Sequence, residues 1–240
     1  MIPVRDTAPS RYPAIMMYVL IGINVVVFVF EASLGEAGIE QLFMQYGFIP
    51  AHMSAAPWSP VVWLTLFTSM FLHGGLGHLA GNMWTLWIFG DNIEDRMGPG
   101  RFLAFYILCG LAAGLAHWVS DPSSVIPTVG ASGAISGVMG AYIVLFPRSR
   151  VVMLFPVFFL PYFFQIPAVV YLGFWFVAQV ASGAVALASE SNAAGVAFWA
   201  HAGGFVAGIV LHRLFMRPKG TYRPFQPDEA QLERAWMPLR

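Results

Sequence analysis

Apolar runs long enough to cross a bilayer follow one another along this chain, and almost no charge falls inside them. Residues 14–31, 76–90, 101–119, 131–146, 166–187 and 195–215 are dominated by aliphatic, aromatic and small side chains. Charged residues make up 10% of the chain and mean hydropathy is +0.68. An ordinary soluble domain carries about 25% charged residues. The expected solvent is therefore lipid, and each of the six runs is read as a membrane-spanning helix. The run at 14–30 is longer than the apolar stretch of a signal peptide, and no small-residue cleavage site follows it, so it is read as a retained span.

Basic residues set the orientation. Arg5, Arg11, Arg96, Arg101, Arg148, Arg150, Arg213, Arg217, Lys219, Arg223, Arg234 and Arg240 fall in 1–13, 91–101, 147–165 and 212–240. The intervening loops carry Glu31, Glu36, Glu40, Asp121 and Glu190 with no Lys or Arg. With six spans this is the positive-inside pattern, and both termini are cytoplasmic. Residues 151–165 are also apolar, but Pro156 and Pro161 cut them into pieces too short to span. A seventh span there would move every basic residue from Arg213 onward to the outside. The chain thus divides into a short cytoplasmic lead (1–13), a six-helix membrane domain (14–216) and a cytoplasmic tail (217–240).

Between spans 1 and 2, residues 32–60 read as a long interfacial loop containing Pro50, Pro57 and Trp58. Residues 61–72 are apolar but stop at His73-Gly74-Gly75, which suggests a re-entrant or interfacial segment feeding span 2. Residues 91–101 read as a charged turn broken by Gly98-Pro99-Gly100. Net charge is zero, which leaves no case for a nucleic-acid partner. The single cysteine, Cys109, excludes an intramolecular disulfide and a multi-cysteine zinc site. It reads as a small buried hydrophobe.

Five polar residues deserve a chemical reading: His73, His78, Asn82, Ser132 and His201. Each lies at or near the start of span 2, 4 or 6, and these three spans run in the same direction. Three helices therefore deliver polar groups to one leaflet. His78 and Asn82 are four apart and share a helix face, as do Ser132 and Ser136. Span 4 covers about 24 Å at about 1.5 Å per residue, so Ser132 starts below the outer surface; His201 lies about 9 Å into span 6. Gly204 and Gly208 on span 6, opposed to Gly133 and Gly137 on span 4, would let the two helices approach closely enough for a Ser–His hydrogen bond. Ionisable groups inside a membrane point to function. His117 and His212, at span ends, read as packing residues. There is no HExxH motif and no carboxylate within spans 2, 4 or 6, so no metal and no cofactor are expected.

Taken in order, Phe71-Leu72-His73 through His78 to Asn82, the turn from Glu94 to Gly100, Gly130-Ala131-Ser132-Gly133, and Ala200-His201 followed by Gly204 and Gly208 resemble the rhomboid family of intramembrane serine proteases. The resemblance covers roughly residues 61–212. It implies an all-α, six-transmembrane-helix bundle with a long interfacial first loop and a water-filled cavity open to the outer side. Carried over by motif, Ser132 is the nucleophile, His201 its general base, and His78 and Asn82 the oxyanion-stabilising side chains. The implied substrates are single-span membrane proteins, cut in or near the membrane. No Asp or Glu is placed to orient His201, so the pair reads as a dyad. Ser136, one turn deeper than Ser132, reads as structural. Phe174, Trp175, Phe176 and Gln179 on span 5, and the loop Ser189–Gly195, are candidates for gate and cap. One departure is that Trp63-Leu64 stands where many members have Trp-Arg in the first loop. Two rivals remain at this point: a catalytically inactive rhomboid-like binder and, on polarity alone, a small-solute transporter. The absence of an evident transit peptide points to a bacterial inner membrane.

Overall fold

The computed structural model describes residues 1–157, 160–188 and 197–218. The proposed cap at 189–195, and the tail beyond Pro218, lie outside them. The described residues form nine α-helices: α1 (Ile15–Ser33), α2 (Glu36–Tyr46), α3 (Pro50–Ala55), α4 (Pro60–Thr68), α5 (Leu76–Met97), α6 (Pro99–Ser120), α7 (Ser132–Leu145), α8 (Ala168–Ala188) and α9 (Phe198–Phe215). Of these, α1, α6 and α8 are long and apolar enough to cross a membrane. A fourth crossing is available if α4 and α5, bent by 83° at His73–Gly75, count as one broken span. The 14-residue α7 is shorter but apolar. All six expected spans correspond to helices, within a few residues except at the end of α5.

The fold is not purely helical. Ile2–Asp6 (β1), Arg150–Val157 (β2) and Leu160–Pro167 (β3) form an antiparallel sheet with β2 in the centre. The two halves of β2–β3 are rich in Val, Phe and Tyr, which fit a pleated surface. The prolines that prevent 151–165 from being a span are compatible with it, because Pro156 and Pro161 face each other across the ladder. Neither donates a hydrogen bond, and such a pair is tolerated where N–H groups point away from the partner strand. Within the lead expected at 1–13, Ile2–Asp6 are ordered as β1, which packs on α5 while β2 and β3 pack on α8. The Trp84 indole fixes β1 by donating to Pro3 O at 2.6 Å.

Helices α5, α7 and α9 run parallel, beginning at the Ser132 end of the bundle and finishing at the end rich in arginine. That second end is joined by acidic residues expected to form a turn. Instead α5 continues through them to Met97, stopping at Gly98, whose φ of 83° favours glycine. Glu94 and Asp95 are buried because they act as acceptors. The Glu94 carboxylate accepts from Met16 N (2.9 Å) and Met17 N (2.7 Å) in the first turn of α1, where Ala14 offers no side-chain cap. Asp95 accepts from Arg11 N and Tyr12 N. Arg217, just past α9, donates from Nε to Asp95 O at 3.0 Å and lies over the Tyr12 ring. The first loop is also more ordered than expected, containing α2 and α3, with Ala51 N bonded to Ser124 O and Phe48 bridged to Thr128.

At this end Asp6 accepts a hydrogen bond from Tyr142 OH. Burial, with Asp91 beside it, pushes the Asp6 carboxyl up to about 8. Its folded pKa exceeds its unfolded value of about 4. The protonated form is therefore favoured in the fold, and the associated stability is lost as pH rises from about 4 to about 8. Asp6→Asn, which keeps an acceptor for Tyr142, should be more stable than wild type at pH 8 and lose that advantage toward pH 4, as read by thermal unfolding in detergent across that window.

Candidate active site

Ser132 is the first residue of α7, and its position is set by the turn before it. Gly130 has φ +131°, and a Cβ there would meet His78 Cε1 at 2.8 Å. Glycine is required twice over: for the backbone conformation and to leave room for the His78 ring. Gly130 N also donates to Ser69 O at 2.8 Å, tying this turn to the end of the α4 segment.

His201 projects from the first turn of α9. Its Nε2 lies 2.8 Å from Ser132 Oγ. The close helix contact expected from sequence is present: a Cβ at Gly204 would overlap Gly133 O, one at Gly208 would overlap Gly137 O, and one at Gly140 would overlap Phe205 O. The backbones of α7 and α9 thus touch along more than a turn without intervening side chains. Cys109 fills the same seam from α6, buried against Gly137, as the small hydrophobe expected of it.

The other side chains divide clearly. His78, Asn82, Ser132 and His201 all line one cavity of about 550 Å³, walled also by Gly77, Gly81 and Thr85 of α5 and by Tyr171 and Trp175 of α8. Asn82 is buried and its Nδ2 has no hydrogen-bond partner among the described residues. His78 opens also into a second cavity of about 440 Å³, lined by His117, Ser120, Asp121 and Ser124. His73 is not part of the lining of either cavity. It is buried, and its backbone N–H donates to the Glu31 carboxylate at 3.2 Å. Glu31, read from sequence as a loop residue, is therefore a buried acceptor at the end of α1. Ser136 Oγ donates to Ser132 O at 2.6 Å, the structural role expected of it. His212 bonds to Ile209 O within its own helix.

Of the span 5 candidates, Trp175 lies beside His201 with ring centroids 6.0 Å apart, and Phe176 stacks on Phe205 of α9. Phe174 points away from the protein, 77% exposed. Gln179 was not expected at the Ser132–His201 pair, yet its Oε1 lies 2.7 Å from His201 Nδ1. The available signal was its four-residue spacing from Trp175, which puts both on one face of α8. Among the described residues no three His, Cys, Asp or Glu side chains cluster as metal ligands. A serine hydroxyl against an imidazole, beside an unpaired amide donor in a cavity, is an arrangement suited to acyl transfer.

The sequence model of the Rhomboid domain matches residues 60–218, which contain His78, Asn82, Ser132, Gln179 and His201. The chain belongs to the rhomboid family. It is 29% identical over 207 residues to "Rhomboid protein 1, mitochondrial" of Saccharomyces cerevisiae, covering 84% of this chain and 53% of that protein. It is 40% identical over 88 residues to "Rhomboid protease GluP" of Bacillus subtilis, covering 37% of this chain and 17% of that protein. It is 31% identical over 106 residues to the human "Presenilin-associated rhomboid-like protein, mitochondrial", covering 43% and 28%. The matched part is thus about half the length of the yeast relative and less than a third of the other two.

The glycine seam generates a direct expectation. In Gly208→Val the new side chain meets backbone, which no rotamer change relieves, so α7 and α9 must separate. Overpacking of this kind costs about 1–3 kcal/mol. The variant should unfold at lower denaturant than wild type.

Proposed function

We propose that this rhomboid-family protein is an intramembrane serine endopeptidase that hydrolyses a peptide bond in or near the transmembrane segment of single-span membrane proteins. The observation that carries the reading is the 2.8 Å approach of Ser132 Oγ to His201 Nε2 beside the buried, unpaired Nδ2 of Asn82. Ser132 Oγ attacks the scissile carbonyl while His201 Nε2 takes its proton. The new C–O bond converts the carbonyl oxygen to an oxyanion. Three donors are available to it: Asn82 Nδ2, His78 from the same face of α5, and the Ser132 N–H. The last sits in the first turn of α7, where no carbonyl four residues earlier belongs to the helix. The positive end of the α7 dipole adds to the attraction. His201 then protonates the leaving amine, and the acyl-enzyme is released by water. A cavity of about 550 Å³ accommodates several waters, each occupying about 30 Å³ in the liquid.

The chain is read as six spans, with α4 as a re-entrant element, the 14-residue α7 as a short span and α9 as the last. The arginine-rich end faces the cytoplasm of a bacterial inner membrane, and the cavity opens toward the periplasm. Fusing a reporter after Arg217 should give cytoplasmic activity, and inserting it near Asp121 should give periplasmic activity. The reverse pattern would overturn the orientation.

The chemistry is tested by co-expression with tagged single-span proteins. Ser132→Ala should abolish cleavage, whereas Asn82→Ala should slow it by about 10²–10³-fold, the usual cost of one oxyanion donor, without ending it. Cleavage by Ser132→Ala at the wild-type rate would sink the assignment and favour the inactive-binder alternative.

A further inference from the structure

The site holds one contact to which the dyad reading gives no role. On the side of the His201 ring opposite Ser132, Gln179 Oε1 lies 2.7 Å from Nδ1. We propose that Gln179 is a positioning residue for His201, holding the imidazole in the tautomer that carries its proton on Nδ1 so that Nε2 is free to accept the Ser132 proton. The inference rests on the proteolytic reading and deepens it.

A neutral imidazole has one donor and one acceptor nitrogen, and the partner of one decides the role of the other. An amide oxygen at Nδ1 can only accept. It therefore selects Nδ1–H and leaves the Nε2 lone pair toward Ser132 Oγ. The opposite tautomer would set two acceptors, the Nδ1 lone pair and Gln179 Oε1, against each other, and would leave Nε2–H donating to Ser132 Oγ with no lone pair to take its proton. Among the described residues no carboxylate oxygen bonds to Nδ1, so the amide does alone the orienting work that a carboxylate does in a triad. It does so without adding a second charge at a depth where charge is costly. As the imidazolium forms, the amide dipole already points its negative end at Nδ1, and no reorganisation is needed at the moment of reaction.

The second contact on the ring comes from the same helix. Trp175, one turn before Gln179, lies beside the imidazole with centroids 6.0 Å apart. One face of α8 thus controls both the tilt of the ring and its tautomer. α8 also forms a wall of the cavity, through Tyr171 and Trp175. Displacement of α8 away from α9 breaks the Nδ1 bond, so the general base is fully set only while α8 is seated.

The test uses the full-length protein in liposomes with a single-span substrate, comparing wild type, Gln179→Leu, Gln179→Glu and Ser132→Ala. Gln179→Leu should lower kcat by about 10–100-fold, a share of the effect of general-base catalysis. KM should stay within about twofold, because the residue touches His201 and not the substrate. Gln179→Glu restores an acceptor of the same reach. It should recover most of kcat and move the acid limb of the kcat/KM–pH profile, relative to wild type, to higher pH; loss of packing alone produces neither effect. Spectra of 15N-histidine-labelled protein read the tautomer independently of activity, with His201 expected as Nδ1–H in wild type and shifted toward Nε2–H in Gln179→Leu. Unchanged kcat in Gln179→Leu, a Gln179→Glu no better than Leu, or an Nε2–H tautomer in wild type each overturns the proposal. A wild type no more active than Ser132→Ala overturns the proteolytic reading and the catalytic role with it, while the spectra still report whether the Gln179 bond exists.

Discussion

Backbone contact between α7 and α9 is the constraint from which the rest of the site follows. Ser132 and His201 sit on different helices, 69 residues apart, and their side chains are short. They meet only if the helix axes come closer than ordinary side chains permit. Gly133, Gly137 and Gly140 on one side, and Gly204 and Gly208 on the other, remove the obstructing Cβ atoms, so carbonyl oxygens of one helix rest against Cα atoms of the other. In lipid there is little hydrophobic gain from bringing two helices together, so this dense van der Waals contact has to supply the association. The same seam therefore holds the helix pair together and sets the distance at which a hydroxyl and an imidazole share a proton.

A second set of interactions fixes the opposite end. Glu94 and Asp95 on α5 accept from the backbone leading into α1, and Arg217 joins the end of α9 to the same point. β1 extends this attachment along α5, and β2–β3 extends it to α8. Phe89 of α5 stacks on Tyr171 of α8 at 6.4 Å, closing the gap between these helices toward the arginine-rich end. Toward Ser132 the gap is wider. Gly77 and Gly81 line the cavity, and a Cβ built on either meets nothing within 4 Å. The bundle is thus pinned at one end and stepped open at the other, where Ser132 and His201 meet.

The convergence of His78, Asn82, Ser132 and His201 was legible in the sequence, because three parallel spans and their positions within each span fix a common depth. The glycine seam was legible for the same reason, since four-residue spacing of small residues survives into structure as a face. The sheet was not. β1 and β2 are separated by about 145 residues, and no local pattern announces that 2–6 pairs with 151–154. Proline in 151–165 correctly argued against a span but said nothing of a hairpin. The end of α5 was misjudged because Asp91, Glu94 and Asp95 look like a solvated turn. Their acceptor role depends on the backbone of α1, which lies almost 80 residues earlier. Glu31 was misplaced likewise, its partner being a backbone N–H from the His73 bend.

Gln179 is the most instructive of the residues whose role was not read. A search for the third member of a triad looks for a carboxylate, because in water-accessible sites a carboxylate is what stabilises an imidazolium. At membrane depth the balance differs. An ionised carboxylate there must be desolvated, and its attraction for the imidazolium has to offset that penalty before it contributes anything to the rate. A neutral amide forgoes most of the Coulomb term but retains the directional one, and choosing the tautomer needs only direction. An amide in an apolar helix, four residues from an aromatic ring and on a wall of the cavity, is therefore the side chain that fits the environment. The absence of acidic residues from spans 2, 4 and 6 excluded a triad built from those helices. It did not exclude an orienting partner, which came from span 5.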